Sequence, residues 1–105
     1  MKPVHWQPAA EQDAAVAAEW YGRQAGLATG QRFLDAVDAG LGHISRHPAS
    51  GSTRYAGMLH LDDLRFWPIR GFPYLIFYLE HDTHIDAWRI LHAQRDIPAW
   101  MGGSE

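Results

Sequence analysis

The chain has 105 residues and a formal net charge of −3, from nine basic and twelve acidic side chains. Its 47% apolar and 20% charged residues exclude an extended disordered chain, and this length fits one domain with its own core. The absence of cysteine excludes disulfides, thiolate metal sites and cysteine nucleophiles, and the mild acidity does not indicate a broad phosphate-binding face.

The N-terminal part of the sequence predicts a short strand that leads directly into a helix. Residues 4–6 have strand character, and Pro8 then suits the first turn of a helix because its missing N–H would be unpaired there. We expect an alanine-rich helix from Ala9 to about Arg23, with Gly22 and Gly26 marking its end.

The second predicted helix has the clearest periodicity in the chain. Thr29 can cap its start and Pro48 stops it. In between, apolar residues recur at intervals of four, four and three positions, at Phe33, Val37, Leu41 and Ile44. The short connection at residues 25–28 predicts an antiparallel helical hairpin, whose apolar stripe requires a sheet to cover it.

The C-terminal half predicts three strands, at residues 64–69, 74–79 and 85–92, after a loop at residues 49–57. The middle strand is a run of β-formers without alternation, which indicates a central strand covered on both faces. In the last strand, alternation places one set of side chains on one face and the next set on the other: Ile85, Ala87, Arg89 and Leu91 against Asp86, Trp88, Ile90 and His92.

These elements predict one α+β domain spanning residues 1–105, in the order β-α-α-β-β-β, with residues 102–105 as a disordered tail. We expect the N-terminal strand and the antiparallel helical hairpin to pack on a three- to four-stranded antiparallel sheet. Residues 1–8 lack the apolar stretch of a signal peptide, and no run approaches the roughly 18 apolar residues of a membrane span. We therefore expect a cytoplasmic protein.

Two segments carry a pattern that is found in a known family. Residues 64–78 read LRFWPIRGFPYLIFY, and residues 89–97 read RILHAQRDI. Together they resemble the ParE branch of the RelE/ParE toxin superfamily. Residues 8–10, residues 31–34 and the pair His47-Pro48 extend the likeness over nearly the whole chain. The fold of that superfamily, a helical hairpin on an antiparallel sheet, is the one that the element order predicts independently.

The resemblance implies the toxin half of a type II toxin–antitoxin system. It implies a cognate small antitoxin, ParD-like or similar, in a toxin–antitoxin hetero-oligomer, and DNA gyrase as the target. The toxin is expected to contact nucleic acid only indirectly, through the antitoxin or gyrase, and no membrane partner is expected. An inhibitor of this kind makes no bond itself, so we expect a contact surface and no catalytic residue, metal or cofactor.

Arginine and aromatic side chains are the usual anchors of such contact surfaces. The candidates for target binding are Arg65, Arg70, Trp88, Arg95 and Trp100. Four further positions belong to the motif and are assigned structural roles: Tyr78, Arg89, His92 and Asp96. Arg89 is expected to be partly buried and to need a carboxylate or carbonyl partners, which Glu19, Asp35 or Asp38 could supply.

Two other functions remain open on the sequence. The first is a ribosome-dependent ribonuclease of the RelE type, whose lysines, arginines and C-terminal tyrosine supply base, cation and acid. In this chain the positions near those cations are occupied by Phe66, Pro68 and Leu75, and only Arg95 matches a RelE-type cation. Lys2 is the only lysine in the sequence. The second is a toxin fold that acts only as a co-repressor with its antitoxin.

The histidines leave a smaller alternative. His43 and His47 stand four apart on the second helix, a spacing that can place two imidazoles on one metal ion. No carboxylate or third histidine is close in sequence, and an exposed histidine is favoured at a helix C-terminus. We therefore interpret the pair as surface residues and predict no metal site.

Overall fold

The computed structural model describes residues 1–95 and 97, and each predicted helix and strand is present. The elements are β1 Val4–Trp6, α1 Pro8–Ala25, α2 Leu27–Arg46, β2 Leu64–Pro68, β3 Tyr74–Glu80 and β4 Ile85–His92, with a short 3₁₀ turn at Pro48–Ser50. The predicted tail at residues 102–105 lies outside the described residues. In the part of the chain described, neither helix has the combined length and apolar character that crossing a membrane requires.

The sheet has the order β1-β4-β3-β2 and is mixed. The pairs β2–β3 and β3–β4 are antiparallel, as expected, whereas β1 runs parallel to β4 with Val4 opposite Ile85. The expectation of an antiparallel sheet is therefore corrected at this edge. The helical hairpin and two strands separate β1 from β4 along the chain, and such a long crossover permits a parallel pairing that a tight turn forbids.

The two faces of the sheet support two separate cores. The helices cover one face, where Phe33, Val37 and Ile44 pack with Ile76 and Tyr78 of β3. The loop between the 3₁₀ turn and β2 helps to cover the other face, where the buried residues are Leu59, Leu64, Phe77, Leu91 and Ile97. The strand β3 is thus buried on both faces, which confirms the prediction made from its unbroken apolar run.

A β-bulge at Trp88 interrupts the alternation of β4. Ala87 and Arg89 pair with consecutive residues of β3, so Trp88 is an extra residue without a partner across the pair. As a result Ile90 lies in the core under the helices, whereas Leu91 lies in the opposite core. The predicted division of residues 85–92 into two faces is therefore wrong beyond Ala87.

The helices of the hairpin approach each other closely at Gly30. A Cβ on Gly30 would lie 2.8 Å from the carbonyl oxygen of Ala18, a distance that side chains do not tolerate. The connection is shorter than expected, because α2 begins at Leu27 directly after Gly26, whose φ is +99°. Thr29 is consequently inside the helix and not its cap, and its hydroxyl donates to the carbonyl of Ala25 at 3.1 Å.

Candidate functional site

A groove runs between helix α1 and the outer edge of β4, and we call it the α1–β4 groove. Two adjoining cavities of about 440 and 330 Å³ form it. The residues that line both cavities are Val16, Ala17, Tyr74, His92 and Arg95. Trp20, Tyr21 and Pro73 complete one end, and Asp13, Arg89 and Ile90 complete the other.

The helix wall of the groove is apolar and solvent-facing. Val16 is 55% exposed and Trp20 is 48% exposed, and one helical turn separates them, so they form a patch on one face of α1. Trp20 packs edge-on against Tyr21 at 5.1 Å between ring centroids, and Tyr21 in turn stacks on the buried Phe33. Adjacent exposed apolar groups on a rigid helix are typical of a surface that another protein covers.

The strand wall of the groove is an open sheet edge. Among the described residues β1 pairs with β4 only as far as Ala87, so no strand flanks β4 on this side from Trp88 to His92. The carboxylate of Asp13 accepts the N–H of Ile90 at 2.9 Å and so satisfies one backbone donor of this edge. An open edge of this kind can take a further strand from a partner.

An ion pair joins the two walls of the groove. Arg89 donates from Nε to one carboxylate oxygen of Asp13 at 2.7 Å and from Nη2 to the other at 2.9 Å. The hydrogen bond to Asp13 raises the pKa of Arg89, against the effect of burial. The expected partly buried arginine with an acidic partner is therefore present, but the partner is Asp13 on α1, and Glu19, Asp35 and Asp38 do not supply it.

Tyr78 and Arg65 hold the segment after α2 against the sheet. The buried Tyr78 hydroxyl donates to the carbonyl of Pro48 at 2.7 Å and accepts the N–H of Gly51 at 3.1 Å. Burial raises the pKa of this phenol. Arg65 donates from Nη1 to the carbonyls of Ala49 and Gly51, at 3.1 and 2.8 Å. Both side chains thus bind neighbouring carbonyls of the same short segment.

The remaining candidates are spread over the surface. His92 and Arg95 lie in the α1–β4 groove, where the His92 ring packs edge-on against Tyr74 at 5.2 Å. Arg70 lines a separate hollow of about 550 Å³ with Trp67 and His43. Trp88 is half-buried at the bulge. The candidates Asp96 and Trp100 lie outside the described residues.

The pair His43 and His47 is held by packing. Their ring centroids are 5.2 Å apart, while His43 stacks on Trp67 at 3.9 Å and its Nε2 lies 2.9 Å from the Ser50 hydroxyl. A different histidine cluster, which sequence reasoning missed, brings His5, His84 and Asp86 together. The signal in the sequence was the spacing of His84 and Asp86, but the contribution of His5 depends on the unpredicted parallel pairing of β1 with β4.

The chain matches a protein-family model described as "ParE toxin of type II toxin-antitoxin system, parDE" over residues 4–97. It is also similar to a solved structure described as the chromosomal ParDE TA system from P. aeruginosa, with a TM-score of 0.75 and 14% sequence identity. That likeness covers 90% of this chain and 98% of the other, and at this identity it supports the fold alone. No curated protein sequence matches the chain.

Proposed function

This chain belongs to the ParE toxin family of type II toxin–antitoxin systems, and we propose that it arrests bacterial growth by inhibiting DNA gyrase. The match over residues 4–97 is the observation that carries the proposal, because it spans both helices and all four strands. A cognate small antitoxin neutralises the toxin in the cytoplasm by forming a hetero-oligomer with it.

The placement of the cations favours an inhibitor over a ribonuclease. The only lysine, Lys2, has its ammonium 2.7 Å from the Glu80 carboxylate, at the end of β3. The middle strands carry Phe66, Pro68 and Leu75 where a RelE-type site would place cations for the phosphorane charge. A gyrase inhibitor needs none of these groups, since it acts by binding.

The candidate surface for gyrase consists of Arg65, Arg70, Trp88, Arg95 and Trp100. Arg70 and Arg95 are exposed and are the first to test. Arg65 is a weaker choice because its guanidinium already donates to two backbone carbonyls. Substitution of Arg70 or Arg95 is expected to reduce growth arrest, and for Arg70 we expect little change in stability, since exposed arginines contribute little to folding.

The α1–β4 groove is the proposed binding site of the antitoxin. Exposed Val16 and Trp20 offer an apolar wall to an amphipathic helix, and the open edge from Trp88 to His92 offers backbone groups to an added strand. A disordered antitoxin tail that folds on binding can use both walls at once. An antitoxin bound in this groove would cover Arg95. The same surface could therefore bind gyrase or the antitoxin, but not both at once.

Pulse labelling tests the proposed target. The chain is induced in cells that lack the antitoxin, and the incorporation of labelled thymidine, uridine and leucine is followed over the first minutes. Gyrase inhibition predicts that DNA synthesis falls first and that cells form filaments. An initial fall in protein synthesis would instead support the ribonuclease. Growth without arrest, with the protein present and folded, would leave the co-repressor as the function.

A further inference from the structure

Three segments of the chain meet at the end of the sheet that carries the β3–β4 turn. His5 of β1 is paired with Asp86 of β4, and His81 and His84 belong to the turn itself. Val4 and Trp6, the neighbours of His5, pack into the helix-side core, so His5 and Asp86 point to the other face of the sheet. We call these four side chains the histidine cluster.

The donor atoms of the histidine cluster are spaced as ligands of one ion. One donor atom each of His5, His84 and Asp86 can be chosen so that all lie within 4.8 Å of one another. Nε2 of His84 is 3.5 Å from Oδ1 of Asp86, close to the separation of about 3.3 Å that bonds of roughly 2.0–2.1 Å give in a tetrahedral site. The His5 and His84 ring centroids are 4.7 Å apart.

The surroundings of His84 and Asp86 orient these two side chains for binding a cation. The Thr83 hydroxyl lies 3.2 Å from Nδ1 of His84, and in the tautomer whose Nδ1–H is donated to it, Nε2 offers its lone pair towards Asp86. Nε2 of His81 lies 2.9 Å from the second oxygen of Asp86 and fixes that carboxylate. Hydrogen bonds that orient a ligand from its far side are characteristic of metal sites.

We propose that His5, His84 and Asp86 bind a divalent zinc ion, with the fourth position taken by water and with His81 as an outer residue that orients Asp86. Two imidazoles and a carboxylate are ligands suited to Zn²⁺. The ion links β1 to β4. Because β1 has only three residues, this link stabilises the N-terminal strand in the folded chain.

The histidine cluster is separate from the proposed toxin surface. His92 of the α1–β4 groove lies six positions after Asp86 on β4, a distance of about 20 Å along a strand. Zinc binding is therefore expected to leave antitoxin binding unchanged, and the two proposals can fail independently.

Calorimetric titration of the full chain with zinc chloride tests the site. We expect one ion per chain and slower hydrogen exchange at residues 4–6 when zinc is present. His84→Ala should weaken binding by at least tenfold, as should His5→Gln, which changes an exposed side chain. His81→Ala should weaken binding about 10- to 100-fold, as measured for outer residues of other sites.

The matched control is His47→Ala, which disrupts the other close histidine pair and should leave zinc binding unchanged. Circular dichroism confirms that each variant is folded before it is titrated. Absence of binding to the folded wild-type chain would overturn the proposal. The same holds if folded His84→Ala and His5→Gln both bind like the wild type, or if His47→Ala abolishes binding.

Discussion

Among single residues, Tyr78 makes the contact on which the segment after α2 depends. Its hydroxyl both donates to Pro48 and accepts from Gly51, and the Tyr78 ring is fully buried under the helices. A Cβ on Gly51 would collide with this hydroxyl, so only glycine permits the approach. The motif tyrosine therefore fixes where the chain turns from the helices to the second core.

Removing this hydroxyl tests the contact. Tyr78→Phe leaves the Pro48 carbonyl and the Gly51 N–H without their partner, and we expect the free energy of unfolding to fall by about 1–3 kcal/mol. Urea denaturation measures it. Tyr55→Phe is the control, because Tyr55 packs with its ring against Phe66 and Phe77. An equal loss in both variants would contradict the role given to the hydroxyl.

The same residue predicts a dependence of stability on pH. Burial raises the pKa of Tyr78, so the folded state favours the neutral phenol. This stabilisation is fully present below the pKa of an unfolded tyrosine, about 10, and is lost as pH rises through the raised folded pKa. We expect the wild-type free energy of unfolding to fall above pH 10 more steeply than that of Tyr78→Phe. If the free energy of unfolding of the two proteins fell in parallel above pH 10, Tyr78 would not be the cause of the pH dependence.

At the scale of elements, the helical hairpin depends on one close approach and the sheet on one irregularity. Gly30 lets α2 pass within contact of the α1 backbone at Ala18, which sets the separation of the helices over the sheet. The bulge at Trp88 rotates the second half of β4, so that Ile90 and Leu91 enter different cores. Arg89, the residue after the bulge, pairs with Asp13, and both line one end of the α1–β4 groove.

Substitution at Gly30 measures the helix contact. Gly30→Ala forces the helices apart, and we expect a loss of about 1–3 kcal/mol in the free energy of unfolding despite the better helix propensity of alanine. At Gly22 a Cβ would meet only Leu27, at 3.8 Å, so Gly22→Ala should be neutral or stabilising by up to about 1 kcal/mol. Thermal denaturation compares them, and a stabilising Gly30→Ala would contradict the packing described.

The elements themselves were predictable because their signals are local. The apolar period of α2 and the unbroken apolar run of β3 indicate their own structure and burial. The direction of β1 was not, because it depends on pairing between segments that are distant in the chain, and the bulge at Trp88 was not, because it depends on the register of β4 against β3. The candidate site could be predicted only in part. The motif identifies His92 and Arg95 as candidate residues. Asp13 could not be found, because it lies 76 residues from Arg89 and no local pattern connects the two.

At the scale of the whole molecule, two candidate sites lie towards opposite ends of β4. The α1–β4 groove joins an apolar helix wall to an open strand edge, and the histidine cluster joins β1 to the β3–β4 turn. The fold supports the groove rigidly, since its walls are a helix and a strand that the Asp13–Arg89 ion pair ties together. A rigid groove of this kind suits a partner that folds on binding.

A charge placed in the groove tests the antitoxin site. Val16→Glu puts a carboxylate on the apolar wall, and we expect the antitoxin to bind at least tenfold more weakly, about 1.4 kcal/mol, because that charge would be buried in the complex. Ala15→Glu adds the same charge at an exposed position outside the groove lining and should bind as the wild type does. Calorimetry measures both affinities, and equal effects would locate the antitoxin elsewhere.

The most direct test of the proposed function is the action of the purified chain on DNA gyrase. The assay follows supercoiling of relaxed plasmid and the amount of gyrase trapped on cleaved DNA. We expect supercoiling to be inhibited and cleaved complexes to accumulate, and we expect the antitoxin to reverse both effects. Unchanged supercoiling in the presence of protein that arrests growth in cells would contradict gyrase inhibition and direct attention to the ribosome.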